Sequence, residues 1–109
     1  MDVVPKTVEY YYTSDGKCPY KEWFADLKDA KIRQAVDARL ARARRGLLGD
    51  SGWVGEGVWE FRLDIGPGYR VYFGQPEHVI IVLLGGGHKK TQNQDIKKAR
   101  AYWADYRGI

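Results

Sequence analysis

The spacing of hydrophobic and polar positions changes several times along the chain, and each change marks an element. Thr7 to Thr13 (T-V-E-Y-Y-Y-T) is rich in β-branched and aromatic residues and stops at Ser14-Asp15-Gly16, which predicts a strand and a turn. Pro19 suits the first turn of a helix, and Tyr20, Trp23, Phe24 and Leu27 follow at the i, i+3, i+4, i+7 spacing of one helical face. Asp29 can cap a second helix with the stripe Ile32, Val36, Leu40, Ala43 and Leu47, Gly46 standing near its end. The two helices are expected to form a hairpin. Between Gly46 and Gly57 five glycines mix with Asp50, Ser51, Trp53 and Glu56, a composition that predicts a loop.

Val58 to Asp64 (V-W-E-F-R-L-D) alternates, with Trp59, Phe61 and Leu63 on one face and Glu60, Arg62 and Asp64 on the other. Ile65-Gly66-Pro67-Gly68 reads as a turn, after which Tyr69, Val71 and Phe73 alternate with Arg70 and Tyr72. A one-residue slip would set an apolar face against a charged one, so burial fixes the register of this hairpin. Phe61 then meets Val71, Leu63 meets Tyr69, Glu60 meets Tyr72, and Arg62 meets Arg70. Two guanidiniums facing each other destabilise the pair unless an anion or an acid bridges them, and Glu60 or Asp64 is within reach. Val79 to Leu84 is continuously apolar, as a central strand covered on both faces should be, and ends in Gly85-Gly86-Gly87. Thr91 and Gln94 have the spacing of a capping box, opening a last helix with the stripe Ile96, Ala99, Trp103 and Tyr106. The expected order is β-α-α-β-β-β-α: an α+β domain whose antiparallel-rich sheet packs against helices.

Composition bounds what such a domain can do. The 109 residues make one domain, residues 1–109, and exclude a second catalytic one. Cys18 is the single cysteine, and no N-terminal apolar run resembles a secretory signal, so a cytoplasmic protein without a membrane partner is expected. His78, His88 and Cys18 lack zinc-ligand spacing, and no cofactor is expected. The net charge of +4 is unevenly spread. Residues 28–45 carry seven cations against two acids and residues 88–107 six against two, which favours a polyanion or an acidic protein as partner.

Familiar catalytic motifs are missing. A phosphate-binding loop ending at Lys90-Thr91 would need glycine where Lys89 and Leu84 stand, and Gly55-Glu56-Gly57 lacks the third glycine of a dinucleotide fingerprint at Glu60. Ser14 and Ser51 have no nucleophile elbow around them. What remains is Arg62 and Arg70 on one sheet face, Tyr72 beside them, and His88, Lys89 and Lys90 at the end of the adjacent strand. Arginine forks bind phosphate in a bidentate way, lysines add positive potential, aromatic rings stack on bases, and histidine carries protons. On RNA, cleavage needs only a 2′-hydroxyl attacking its own phosphate while cations stabilise the developing charge, with no metal. Arg42 and Arg45, on the basic second helix with Arg33 and Arg44, are further candidates for nucleic-acid contact, or for docking an acidic protein or nucleic acid if the chain is a binding module without catalysis.

The stretch V-W-E-F-R-L-D-I-G-P-G-Y-R-V-Y-F, followed by V-I-I-V-L-L-G-G-G-H-K-K-T-Q-N-Q-D-I-K-K-A and a final Y-W-A-D-Y, resembles the addiction module killer proteins. These are a HigB-like branch of the RelE/ParE toxin superfamily, and the likeness runs from Val8 to Arg107. It implies a RelE/ParE-like fold and the toxin of a type II toxin-antitoxin pair, neutralised by a helix-turn-helix antitoxin. RelE-like members cut mRNA on the ribosome, whereas ParE-like members inhibit DNA gyrase without catalysis, and one fold serves both. The resemblance favours a ribosome-dependent mRNA endonuclease, with gyrase inhibition as the alternative. It assigns Arg70 to the arginine of the family's Y-R strand motif and Arg62 to a basic position on the preceding strand. Glu60 stands where some relatives have lysine, a late basic residue falls near His88 or Lys89, and Tyr102 and Tyr106 lie near the nucleases' C-terminal tyrosine.

Overall fold

A computed structural model describes residues 3–109. The element order is β1 (Thr7–Tyr10), α1 (Pro19–Asp26), α2 (Ala30–Arg44), β2 (Ser51–Gly55), β3 (Val58–Leu63), β4 (Tyr69–Glu77), β5 (Ile80–His88), a 3-10 turn (Lys89–Thr91) and α3 (Gln92–Arg107). Among the described residues the strands form one five-stranded mixed sheet in the order β1-β5-β4-β3-β2. Only the β1–β5 pairing is parallel. The α+β class is as expected, but the order gains a strand.

That strand, β2, lies inside the glycine-rich segment predicted as a loop. Its glycines have a structural use. A Cβ at Gly52 would come within 2.0 Å of Arg62 Nη2, so the outer strand needs a bare backbone where the arginine crosses it. Glu56 and Gly57, both with positive φ (53° and 85°), then turn the chain tightly into β3, the backbone handedness that suits a twisted hairpin. Two other boundaries also move. β5 continues through Gly85-Gly86-Gly87 to His88 instead of stopping at Leu84, and β1 ends at Tyr10.

The β3–β4 hairpin has the predicted register, Phe61 opposite Val71, Arg62 opposite Arg70 and Glu60 opposite Tyr72. Phe61, Leu63, Val71, Phe73, Ile81 and Leu83 form one face, covered by Tyr20 of α1 and Val36, Leu40 and Ala43 of α2. Phe61 and Phe73 stack there with ring centroids 4.1 Å apart. The opposite face is also covered. Val58, Tyr72, Val82 and Leu84 pack under Ala99 and Trp103 of α3 to make a second core, so β5 is buried on both sides as its apolar run requires.

Trp103 sets the spacing of α3 from the sheet. Its indole lies so close over β4 that a Cβ on Gly74 would come within 2.5 Å of the ring. The ring is 4% exposed and has nowhere to go. Gly74→Ala is therefore expected to cost about 1 to 3 kcal/mol through overpacking, read as a lower midpoint in urea.

Candidate functional site

The α3 face of the hairpin ends in a charged group beyond the second core. Glu60, Arg62 and Arg70 project together from it, since Arg62 and Arg70 are register partners and Glu60 lies two residues before Arg62 on the same strand. Arg62 Nε donates to Glu60 Oε2 at 2.8 Å, while Arg70 Nε stands 3.9 Å from the same oxygen. Gln92, at the first turn of α3, donates from Nε2 to Glu60 Oε1 at 2.9 Å. One buried carboxylate thus separates two guanidiniums that would otherwise repel, and the helix above holds that carboxylate in place. Asp64 does not share this role.

The two arginines differ in exposure. Arg62 keeps about a third of its side chain in solvent and donates from Nη1 to Asp50 at 3.2 Å. Its hydrogen bond to Glu60, burial acting against it, and the bond to Asp50 together raise its pKa further above the usual guanidinium value. Arg70 is 7% exposed, so the face expected to be open is largely sealed by α3. Its Nη1 donates to the Tyr69 carbonyl at 2.9 Å, and its Nε has no hydrogen-bond partner among the described residues.

What Arg70 does reach is a cleft of about 360 Å³ beside the hairpin turn, shared with Asp64, Gly66, Pro67, Gly68 and Lys89. The turn closes by Gly68 N donating to Ile65 O at 3.0 Å, and Lys89 N in turn donates to Gly68 O at 2.8 Å. That second bond ties the 3-10 turn to the hairpin and brings the exposed Lys89 beside Arg70. A Cβ on Gly68 would lie 3.5 Å from Lys89 Cβ and 3.6 Å from Arg70 Nη1. Guanidinium, ammonium and a glycine backbone around a small recess are a chemistry for a phosphate or another oxyanion. Lys90 is exposed on the same turn.

Four candidate residues lie elsewhere. Tyr72, expected to stack on bases beside the arginines, is 1% exposed within the second core, because α3 covers the face that alternation left open. His88 pairs with Tyr69, one position beyond the Arg70–Gly87 pair, so strand alternation puts it on the face opposite the arginines. There its Nδ1 accepts from Lys90 N at 3.3 Å while the Thr91 side chain closes back on the His88 backbone, and His88 caps the 3-10 turn. The capping box is thus His88 with Thr91, three residues earlier than Thr91 with Gln94. A nitrogen accepting a backbone N–H carries no proton, which leaves Nε2 as the proton-bearing nitrogen of the neutral ring. Arg42 and Arg45 are exposed at the C-terminal end of α2, in the layer beneath the sheet's other face.

Two residues that sequence patterning did not single out hold the site together. Gln92 is one. The other is Arg39 of α2, whose Nη2 donates to the Arg62 carbonyl at 2.8 Å and Nη1 to the Asp50 carbonyl at 3.1 Å. Burial, then neighbouring Arg42, lowers the Arg39 pKa below the usual guanidinium value. Both are long polar side chains within a turn of a helix's apolar stripe, the only signal they carry in the sequence. Among the described residues no group of three or more His, Cys, Asp or Glu could hold a metal ion, and no helix is long and apolar enough to cross a membrane.

No family model matches the chain. An uncharacterized protein of Haemophilus influenzae is 40% identical to it over 81 residues, 74% of this chain and 82% of that protein.

Proposed function

The chain belongs to the same family as that Haemophilus influenzae protein; from its own residues and the resemblance they carry, we propose that it is the toxin of a type II toxin-antitoxin pair, acting as a ribosome-dependent mRNA endonuclease. The observation that carries the reading is the convergence of Arg70 and Lys89 on one cleft, with Arg62 on the same sheet face two residues from the shared Glu60. The resemblance of the hairpin and of the segment through Lys90 to the RelE/ParE superfamily supplies the reaction class.

In this reading the scissile phosphate enters the cleft beside Gly68. Lys89 offers a mobile ammonium and Arg70 a fixed guanidinium edge, so the charge that develops as the RNA 2′-oxygen bonds to phosphorus and the bond to the 5′-oxygen breaks meets donors already in place, with solvent taking the 2′-hydroxyl proton and returning one to the departing 5′-oxygen. Arg62 joins by exchanging partners. Its bond to Asp50 lies at the surface, where an ion pair is worth no more than about 1 kcal/mol, so a phosphate displaces that carboxylate at little cost. Lys90 and, farther off, Arg42 and Arg45 would add long-range attraction for ribosomal RNA or for an acidic antitoxin. His88, engaged in its cap on the other face, is not assigned the proton transfer.

Controlled expression, with sequencing of message 5′ ends, tests the proposal. Growth arrest with cuts at positions linked to codons, relieved by the antitoxin of the neighbouring gene, is the expected result. Intact messages with DNA damage would overturn it in favour of gyrase inhibition, and harmless expression would favour a binding module.

A further inference from the structure

A second recess lies on the other flank of α3. It has a volume of about 260 Å³ and opens between α1 and α3 above Gly85 and Gly86 of β5. The space exists because β1 pairs with β5 only as far as Leu83, leaving the far half of β5 to be crossed by α1. Trp23 of α1 comes down on bare backbone there: a Cβ on Gly86 would come within 2.3 Å of its ring.

The charge of this recess is opposite to that of the chain. Glu22 and Asp26 on α1 face Asp95 on α3 across it, with Lys98 the single cation on its wall. Among the described residues none of these three carboxylates is ion-paired, with Lys98 or with any other cation. Asp95 accepts only the Thr91 hydroxyl. At the base stands Tyr72, 1% exposed, with a hydroxyl that has no hydrogen-bond partner among the described residues. Burial, then the negative charges of Glu60 and Asp95, raises the Tyr72 pKa well above the usual phenol value, with Arg70 acting the other way. The phenol stays protonated and keeps both a donor and an acceptor to offer.

We propose that this recess binds an organic cation, a guanidinium or alkylammonium group, held by Glu22, Asp26 and Asp95, stacked against Trp23 and anchored at the Tyr72 hydroxyl. Carboxylates on two facing helices give such a group charge-assisted partners, and an indole face beside them adds cation–π attraction. An apolar ligand would leave the carboxylates and the phenol unmatched, and an anion would be repelled. The same chemistry arrives either as an arginine or lysine side chain of a protein partner or as a free polyamine. This site is separate from the Arg70 cleft, and its occupancy does not depend on the nuclease reading.

Amide chemical shifts of the full-length chain, titrated with N-acetylarginine amide and with spermidine, test it; N-acetylcitrulline amide is the neutral control. Saturable shifts at Gly85, Gly86 and Asp95 are expected with a cation, at least about tenfold weaker with citrulline. Tighter binding of the arginine compound identifies a partner's side chain as the source, and tighter binding of spermidine a free polyamine. Tyr72→Phe, which removes one oxygen and keeps the ring, and the double variant Glu22→Gln with Asp26→Asn should each weaken binding by about tenfold. No shift at those amides, an equal response to citrulline, or an unchanged titration in either variant would overturn the proposal.

Discussion

Glu60→Ala is expected to lower the stability of the fold by about 3 kcal/mol, the lower end of what removing one partner of a buried ion pair costs. The reason is the arrangement beneath α3. Glu60 is 2% exposed and stands between Arg62 and Arg70, which the hairpin register places directly opposite each other. Without the carboxylate, Arg70 remains buried with no counter-charge, Arg62 falls back on Asp50, and Gln92 loses the oxygen that fixes the start of α3. Glu60→Gln keeps an oxygen for Gln92 and should lose less. Urea denaturation of the two variants beside the parent measures both. A loss in Glu60→Ala no larger than that of an exposed substitution would show that the arginines do not depend on the shared acid.

Arg70→Ala carries the largest expected effect on activity. Removing a preorganised donor from a site of developing charge typically costs about 100-fold or more in rate, and Arg70 is the candidate group most firmly fixed by its surroundings. The variant should fold, because Arg62 and Gln92 still hold Glu60, although with a lower melting temperature. Message cleavage after induction, with circular dichroism to confirm the fold, is the measurement. Arg70→Lys separates charge from geometry: a lysine restores the positive charge without the planar fork, so it should recover only a small part of the activity. Cleavage at the parental rate in Arg70→Ala would remove Arg70 from the mechanism.

The hairpin was legible in the sequence because two strands with period-two alternation admit one register that buries apolar residues together. The same reasoning exposes the Arg62–Arg70 conflict and offers Glu60 or Asp64 as the bridge, between which only the tertiary structure chooses. It failed on the far face. Glu60, Arg62, Arg70 and Tyr72 read as a solvated side, yet Tyr72 joins Val58, Val82 and Leu84 beneath α3. The unbroken apolar run of β5 already required cover on both faces, and neighbouring strands share whatever covers them. β2 was hidden for another reason. Its glycines answer to the Arg62 side chain of the adjacent strand and to a tight turn, both tertiary demands that local composition reports as loop. His88 escaped because a histidine capping a 3-10 turn looks, in sequence, like any histidine beside two lysines.

The outermost strand has a consequence for how copies of the chain meet. A sheet margin with unpaired N–H and C=O groups invites the margin of another molecule, and β2 is one of the two margins of this sheet, its Val54 carbonyl already accepting from Arg100 of α3. It is five residues long, carries glycine at two of them, and changes register between Trp53 and Gly55. A neighbour trying to extend the sheet at β2 would find few successive rungs in phase, so this margin is a poorer template for stacking than a longer, straighter one.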